Sequence, residues 1–279
     1  MSPSRTFLIT GGNTGIGRAT ATALASAGGR VYIACRSAAS GEVAVASVRS
    51  ASGSDTVWLL PLDLASLESV RSCVAAFLQR DEPLHVLVNN AGVGGQRGTT
   101  ADGFELHFGV NHLGHFALTQ LLLERLKDSG PDTRIVNVSS RAHYDAPGID
   151  FDAVRRQGSF TGIREYAVSK LCGIAPGGRP PGIPPRLGGS SPPKPPRPGV
   201  VASDIWRRVP WPARSIIKSR MITPEQGAVT SVHCATSPSV SGQSGLYYDN
   251  CQVTEASKVA TPELSEALWK HSVEYTGLG

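Results

Sequence analysis

Short apolar runs alternate with segments of helical periodicity along the first half of the chain. The runs are almost continuously apolar, which is typical of strands buried on both faces, and they lie at Thr6–Thr10, Arg30–Cys35, Val57–Leu62, His85–Val88 and Arg134–Val138. The segments between them carry apolar residues at helical spacing and lie at Arg18–Ala27, Glu42–Arg49, Leu67–Arg80 and 103–128. This alternation predicts one doubly wound α/β domain with a parallel sheet covered by helices on both faces.

A glycine-rich turn follows the first predicted strand. Gly11, Gly15 and Gly17 form the pattern Gly-x-x-x-Gly-x-Gly directly before the first predicted helix. Glycines at these positions let the backbone turn tightly and approach a pyrophosphate, which then lies at the positive end of the helix. The strand–turn–helix context favours nucleotide binding over the alternative, an ordinary glycine-rich turn.

The end of the second predicted strand bears on the choice of nucleotide. Enzymes that use NAD place an acidic residue there to hold the ribose 2′-hydroxyl, whereas this chain has Ala34, Cys35 and Arg36. Arg36 can pair with a 2′-phosphate, and Arg18 adds a second positive charge after the glycine motif. The sequence therefore predicts NADP(H); a solvated surface arginine is the alternative for Arg36.

Tyr166 and Lys170 stand four residues apart in Tyr-Ala-Val-Ser-Lys. This spacing places both side chains on one face of a helix. An ammonium group beside a phenol favours the phenolate and lowers its pKa. Such a tyrosine can exchange a proton with a carbonyl or alcohol oxygen, so the pair indicates general acid–base catalysis.

Composition excludes several other classes of protein. The 279 residues carry a net charge of +5, but the basic residues are scattered, which argues against nucleic-acid binding. The five cysteines are odd in number and contain no Cys-x-x-Cys pair, which fits an intracellular, reducing compartment such as the cytoplasm. We expect no metal site and no membrane-spanning segment, although peripheral contact with a membrane stays open.

Seven motifs, in order and spacing, make the chain resemble a short-chain dehydrogenase/reductase of the retinol dehydrogenase-like group. They are Thr10–Gly17, Asp63–Leu64, Asn89–Gly92, Asn111–Phe116, Val138–Ser140, Tyr166–Lys170 and Pro198–Val201. The resemblance implies a Rossmann-type fold over residues 1–279 and an NADP(H)-dependent oxidoreductase. It further implies a lipophilic carbonyl or alcohol substrate such as retinal or retinol, and a homodimer as the candidate assembly.

The resemblance also implies residue roles. Tyr166 is the general acid/base; Lys170 lowers the pKa of Tyr166 and holds the nicotinamide ribose. Ser140 stabilises charge on the substrate oxygen, and Asn111 holds a water in the proton relay. Asp63 contacts the adenine. The complete cofactor-binding set is Gly11, Asn13, Thr14, Gly15, Ile16, Gly17, Arg18, Arg36, Asp63, Leu64, Asn90, Ala91, Gly92, Tyr166, Lys170, Gly199 and Val201.

One segment, 173–199, departs from the family pattern. It holds ten of the twenty prolines and shows no apolar periodicity. Proline breaks helices and cannot donate to a sheet ladder, so we expect the helix that carries Lys170 to end by Ala175 and no central strand to follow. Family-like sequence resumes at Pro198 at nearly the expected distance, which suggests a reading-frame excursion; a genuine Pro-rich loop is the alternative.

This departure leaves two other functions open. The chain could be a catalytically impaired remnant that acts as a nucleotide-binding or interaction module. The prolines could also serve as a polyproline ligand for SH3-type domains.

Overall fold

The computed structural model describes residues 4–156, 158–174, 186–191 and 223–278. The described strands are β1 (Thr6–Thr10), β2 (Arg30–Cys35), β3 (Val57–Pro61), β4 (Val86–Asn89), β5 (Arg134–Asn137), β6 (Arg186–Ser191), β7 (Tyr247–Asp249) and β8 (Gln252–Thr254). The described α-helices are α1 (Gly15–Ser26), α2 (Ala38–Ser52), α3 (Leu67–Leu78), α4 (Gly114–Leu121), α5 (Leu123–Asp128), α6 (Ile163–Cys172), α7 (Pro224–Thr236) and α8 (Pro262–Thr276).

The strands form one sheet in the order β3-β2-β1-β4-β5-β6-β7-β8, and all but β8 run parallel. The strand order reverses between β1 and β4, where Phe7 pairs with Val86. In sheets of this kind, ligands bind at the carboxyl ends of the strands beside such a reversal. The predicted α/β, doubly wound fold is therefore confirmed, and its topology fixes where a ligand site should lie.

Apolar side chains fill both faces of the sheet. One core cluster lies under α1, α2 and α7 and includes Ile9, Val31 and Val88, while Leu8 and Leu87 belong to a second cluster under α3 and α4. Neighbouring residues of a strand therefore point to opposite cores, which explains why the sequence of each strand is continuously apolar. Full burial of each such side chain stabilises the fold by roughly 1.5–3 kcal/mol.

The helix predicted over 103–128 differs from the observed structure. Gly103 has a φ of +79° and lies in a turn, and the regular structure contains a π-helix at Phe108–Leu113 ahead of α4 and α5. π-Helical turns lower the regularity of the hydrogen-bond ladder and are frequent at functional sites. The candidate residue Asn111 lies in this π-helix.

The expectation that no strand forms in the Pro-rich segment was wrong. Strand β6 pairs with β5 through Ile135 and Arg186, and with β7 through Gly188 and Tyr247. Its six residues contain no proline, so each can donate a backbone hydrogen bond, and the prolines lie on either side of it. The predicted limit for the catalytic helix agrees with the structure, because α6 ends at Cys172.

Candidate active site

The glycine motif forms a closely packed turn at the point where the strand order reverses. Gly11 has a φ of +65°, and a Cβ added there would lie 2.9 Å from Cα of Ala91. A Cβ on Gly17 would collide with the Asn90 side chain and the Gly11 carbonyl oxygen. Any side chain at these positions would displace the turn from the end of β4, so the motif has a structural requirement for glycine.

The same turn leads into α1, which begins at Gly15. The first backbone N–H groups of a helix have no partners within the helix and favour an anion such as a pyrophosphate. The narrow glycine cradle and this helix terminus together fit a dinucleotide. The predicted residues Asn13, Thr14, Gly15 and Ile16 all lie in or beside this turn.

The turn after β2 is held next to the glycine loop. Asn13 Nδ2 donates a hydrogen bond of 3.1 Å to Oγ of Ser40, in the first turn of α2. Arg36 lies in the turn between β2 and α2 and is exposed, as is Arg18 on α1. Neither arginine takes part in an ion pair with another residue that the structure describes. Both charges are therefore available to an anionic ligand.

The ends of β3 and β4 complete the nucleotide side of the site. Asp63 Oδ1 accepts a hydrogen bond of 3.0 Å from the backbone N–H of Ala65, and Leu64 is buried beside it. Asn90 Nδ2 donates to the carbonyl oxygen of Thr10 at 2.8 Å. Both predicted polar residues thus shape their own turns, and contact between Asp63 and an adenine stays a prediction.

Helix α6 brings the predicted catalytic residues together. Lys170 Nζ lies 5.7 Å from the centroid of the Tyr166 ring and donates a hydrogen bond of 3.2 Å to the carbonyl oxygen of Val138. Tyr166 also makes a side-chain hydrogen bond with Ser140. Ser139 Oγ donates to the carbonyl oxygen of Lys170 at 2.9 Å, which ties α6 to the end of β5.

Burial has the largest influence on the pKa values of Lys170 and Tyr166. It lowers the pKa of the Lys170 ammonium from 10.5 to about 8, because the charged form loses hydration. Burial raises the pKa of the Tyr166 phenol, and the hydrogen bond with Ser140 opposes that rise. We predicted that Lys170 lowers the pKa of Tyr166, whereas in this structure the larger influence on Tyr166 is its own desolvation.

Asn111 fixes the loop between the two halves of the site. Its Oδ1 accepts from the backbone N–H of Val93 at 2.8 Å, and its Nδ2 donates to the Val93 carbonyl oxygen and to Ser169 Oγ at 3.0 and 2.9 Å. A Cβ on Gly92 would lie 3.3 Å from Asn111 Oδ1 and 3.5 Å from Lys170 Nζ. Two of the four predicted catalytic residues, Asn111 and Lys170, therefore lie beside Gly92 in the loop that follows β4.

A polar cavity of about 60 Å³ lies beside Lys170. Its lining includes Asn89, Asn111, Thr119, Asn137, Ser169 and Lys170. Asn89 Oδ1 is buried there and has no hydrogen-bond partner among the residues that the structure describes. The cavity is polar and large enough for a water molecule, which is compatible with the predicted relay water.

A larger cavity of about 340 Å³ lies elsewhere and contains none of the four catalytic candidates. It is lined by Phe108, Ile149, Val154, Glu165 and Val168, among others. Glu165 and Val168 lie one and two residues from Tyr166 along α6, and such spacings do not share the helix face of Tyr166 and Lys170. The position of the reactive side chains, and not the cavity size, therefore locates the chemistry.

The sequence did not reveal several supporting residues. His107 is fully buried with its ring edge-on to Tyr166, at 6.1 Å between centroids, and its Nδ1 lies 2.7 Å from Glu105 Oε1. Ser169 Oγ donates to the Tyr166 carbonyl oxygen at 2.7 Å while it accepts from Asn111. The one sequence feature that indicates this supporting role is the position of Ser169 within Tyr-Ala-Val-Ser-Lys, directly before Lys170.

Two predicted cofactor residues, Gly199 and Val201, lie outside the described residues. In the described part of the chain, no group of three or more His, Cys, Asp or Glu side chains is placed to hold a metal ion. Within the same ranges, no helix has the length and apolar character that crossing a membrane requires.

Comparisons with known proteins agree with this geometry. A family model for short chain dehydrogenases matches residues 5–149. Retinol dehydrogenase 11 of Homo sapiens is 40% identical over 285 residues, which cover 99% of this chain and 87% of that protein. The chain therefore belongs to the short-chain dehydrogenase/reductase family, in its retinol dehydrogenase-like group, and its family is one of oxidoreductases that bind a nicotinamide cofactor.

Two further proteins extend the comparison. Polyprenol dehydrogenase of Homo sapiens is 37% identical over 288 residues, which cover 99% of this chain and 86% of that protein. The structure of RhlG from Pseudomonas aeruginosa in an active-site complex with NADP has a TM-score of 0.65. At 22% identity, with 93% of this chain and 98% of that chain covered, this second likeness shows the fold.

Proposed function

We propose that the protein is an NADP(H)-dependent oxidoreductase that reduces the carbonyl group of a lipophilic aldehyde, of which retinal is the leading candidate. The observation that carries this proposal is the convergence of Tyr166, Ser140 and Lys170 next to the glycine cradle, at the reversal of strand order. A proton donor and a dinucleotide site adjoin there, which is the arrangement that carbonyl reduction requires.

The protonation of Tyr166 favours the reductive direction at neutral pH. Its pKa is raised, so the phenol keeps the proton that a carbonyl oxygen must receive. Ser140, which already bonds Tyr166, is placed to stabilise charge on that oxygen. When bound, the nicotinamide supplies the hydride. The Lys170 ammonium stabilises the phenolate that remains after proton transfer, because opposite charges favour each other in a buried site.

The preference for NADP(H) rests on charge at the end of β2. Arg36 and Arg18 are exposed, and the strand end offers no carboxylate to a ribose 2′-hydroxyl. A guanidinium group binds a phosphate through charge-assisted hydrogen bonds. RhlG, of the same fold, forms a complex with NADP, which supports this choice.

The lipophilic substrate class rests on the relatives. Their names specify retinol and polyprenol, which are both long apolar alcohols. By resemblance, the segment after Pro198, with Trp206 and Trp211, is expected to form the family's substrate-covering region, and both tryptophans lie outside the described residues. The proposal for the substrate is therefore tested directly by turnover.

A cofactor titration and a turnover assay test the two halves of the proposal. We expect NADPH to bind more tightly than NADH, and Arg36→Asp to reduce or invert that preference. Arg156→Asp, at another exposed arginine, is the control and should leave the preference unchanged. Retinal should be reduced with NADPH. Equal affinity for both nucleotides would contradict the cofactor proposal, and no turnover of retinal or other long-chain aldehydes would contradict the enzymatic one.

One observation favours a second candidate, a nucleotide-binding protein without turnover. Helix α6 ends at Cys172, only two residues after Lys170. A short helix offers fewer buried contacts to hold its catalytic side chains in place. Tight NADPH binding together with no aldehyde reduction would select this alternative.

A further inference from the structure

His115 lies between the cofactor loop and the catalytic π-helix. It is the second residue of α4 and is 6% exposed. Its Nε2 lies 2.8 Å from Oγ1 of Thr10, the residue that ends β1 directly before Gly11. Its Nδ1 lies 3.1 Å from the carbonyl oxygen of Asn111. One buried ring thus touches both halves of the site.

The hydrogen bonds around Thr10 decide where the ring carries its proton. Thr10 Oγ1 accepts from the backbone N–H groups of Asn90 and Ala91, each at 2.9 Å. A hydroxyl has two lone pairs and one proton, so these contacts favour donation by this oxygen, with the Asn90 N–H shared with the Val88 carbonyl oxygen at 3.0 Å. The nearer acceptor is His115 Nε2, since the Val88 carbonyl oxygen lies at 3.5 Å. The contacts at Thr10 therefore favour an unprotonated Nε2.

The second ring nitrogen, Nδ1, is then the hydrogen-bond donor of the ring. A neutral imidazole carries its single proton on Nδ1 when Nε2 accepts. The Asn111 carbonyl oxygen is an acceptor only, and Nδ1–H donates to it. Every donor and acceptor in this chain of contacts is satisfied in this arrangement, whereas a neutral ring with its proton on Nε2 would turn the Nδ1 lone pair towards the lone pairs of the Asn111 carbonyl oxygen. Burial also lowers the pKa of His115 to about 4, so the neutral ring persists at pH 7.

We propose that His115 is a positioning residue that couples the dinucleotide loop to the catalytic Asn111 through a fixed neutral tautomer. At one end, Thr10 holds the backbone of Asn90 and Ala91 against the glycine turn. At the other end, Asn111 holds Ser169, next to Lys170. This inference rests on the proposed function, because it assigns His115 a part in both cofactor binding and turnover.

The coupling predicts effects at both ends of the network when the ring nitrogens are lost. His115→Phe keeps the ring volume but leaves the Thr10 hydroxyl and the Asn111 carbonyl oxygen without their partner. We expect weaker NADPH binding in a fluorescence titration, and a kcat for retinal that falls roughly 10- to 100-fold, since small misplacements at an active site have effects of that size. Amide hydrogen exchange at Asn90 and Ala91 should also accelerate.

Two variants separate positioning from general core packing. His115→Gln offers a carbonyl oxygen to Thr10 and an amide N–H to Asn111, and it should restore most of the binding and turnover. His85 Nδ1 accepts from the backbone N–H of Thr6 at 2.9 Å, near the opposite ends of β1 and β4. His85→Phe should lower stability while leaving the NADPH affinity and kcat unchanged.

Nitrogen NMR of the wild-type protein tests the tautomer without any need for a variant to fold. We expect protonated Nδ1 and unprotonated Nε2 at pH 7; a proton on Nε2 would overturn the proposal. So would a folded His115→Phe variant with wild-type NADPH affinity, exchange rates and kcat. If the wild-type protein does not reduce aldehydes, the proposed function fails. NADPH affinity, exchange and the tautomer then still decide the role of His115.

Discussion

Replacing Lys170 with methionine should stabilise the protein while abolishing its activity. Lys170 is 6% exposed, and within the described residues its ammonium group donates one hydrogen bond, to the Val138 carbonyl oxygen. Burial lowers its pKa from 10.5 to about 8, which corresponds to roughly 3 kcal/mol at about 1.36 kcal/mol for each pH unit. Loss of the hydrogen bond removes about 1.5 kcal/mol. The free energy of unfolding of Lys170→Met should therefore exceed that of the wild type by about 1–2 kcal/mol at pH 7.

The stability difference between Lys170→Met and the wild type should depend on pH. Between pH 8 and 10.5 the unfolded wild-type chain binds more protons than the native protein, so the wild-type stability rises with pH across that window. The methionine variant lacks this titration. Its advantage over the wild type should therefore be largest at and below pH 7, should vanish at about pH 9 once the wild type has regained about 1–2 kcal/mol, and should reverse towards pH 10.5.

Urea unfolding at several pH values between 6 and 10.5 measures the difference directly. Lys258→Met is the matched control, because Lys258 is exposed and should change stability little at any pH. The reasoning about burial is refuted if Lys170→Met is less stable than the wild type at pH 7. A stability difference that does not vary with pH would refute it equally.

Three other substitutions test separate parts of the site. Tyr166→Phe removes the proton donor and should lower kcat for retinal by at least 100-fold with little change in NADPH affinity; a retained kcat would exclude Tyr166 as the acid. Ser140→Ala removes the hydrogen bond that opposes the raised pKa of Tyr166. The pH–rate profile should move to higher pH, and an unchanged profile would contradict this. Gly17→Ala should collide with Asn90, lower stability by about 1–3 kcal/mol and weaken NADPH binding; a thermal melt and a titration check both.

The sheet could be predicted well because its strands are continuously apolar. The predicted Thr6–Thr10 and Arg30–Cys35 agree with β1 and β2 residue for residue. A strand that is buried on both faces is apolar at nearly every position, so it can be recognised from its own sequence without knowledge of the strands that it pairs with. The start of α1 was placed at Arg18 instead of Gly15, because glycines carry no apolar periodicity to mark the first turn.

The remaining features depend on contacts that are distant in sequence. The π-helix at Phe108–Leu113 cannot be read from a 3.6-residue period. The hydrogen bond between Thr10 and His115 joins residues 105 positions apart. Strand β6 was missed because the flanking prolines outweighed a short proline-free stretch. The candidate catalytic residues were identified from motif spacing, and their roles stay predictions, whereas the raised pKa of Tyr166 depends on packing that no spacing reveals.

The most direct test of the account follows the transferred hydrogen. The purified protein is incubated with retinal and with NADPH that carries deuterium at both positions of nicotinamide carbon 4, and the product is analysed by mass spectrometry. With the wild-type protein we predict retinol that contains one deuterium on the carbinol carbon. With Tyr166→Phe we predict almost no retinol. Unlabelled retinol, or no retinol from a protein that binds NADPH, would contradict the claim that this site catalyses hydride transfer to a lipophilic aldehyde.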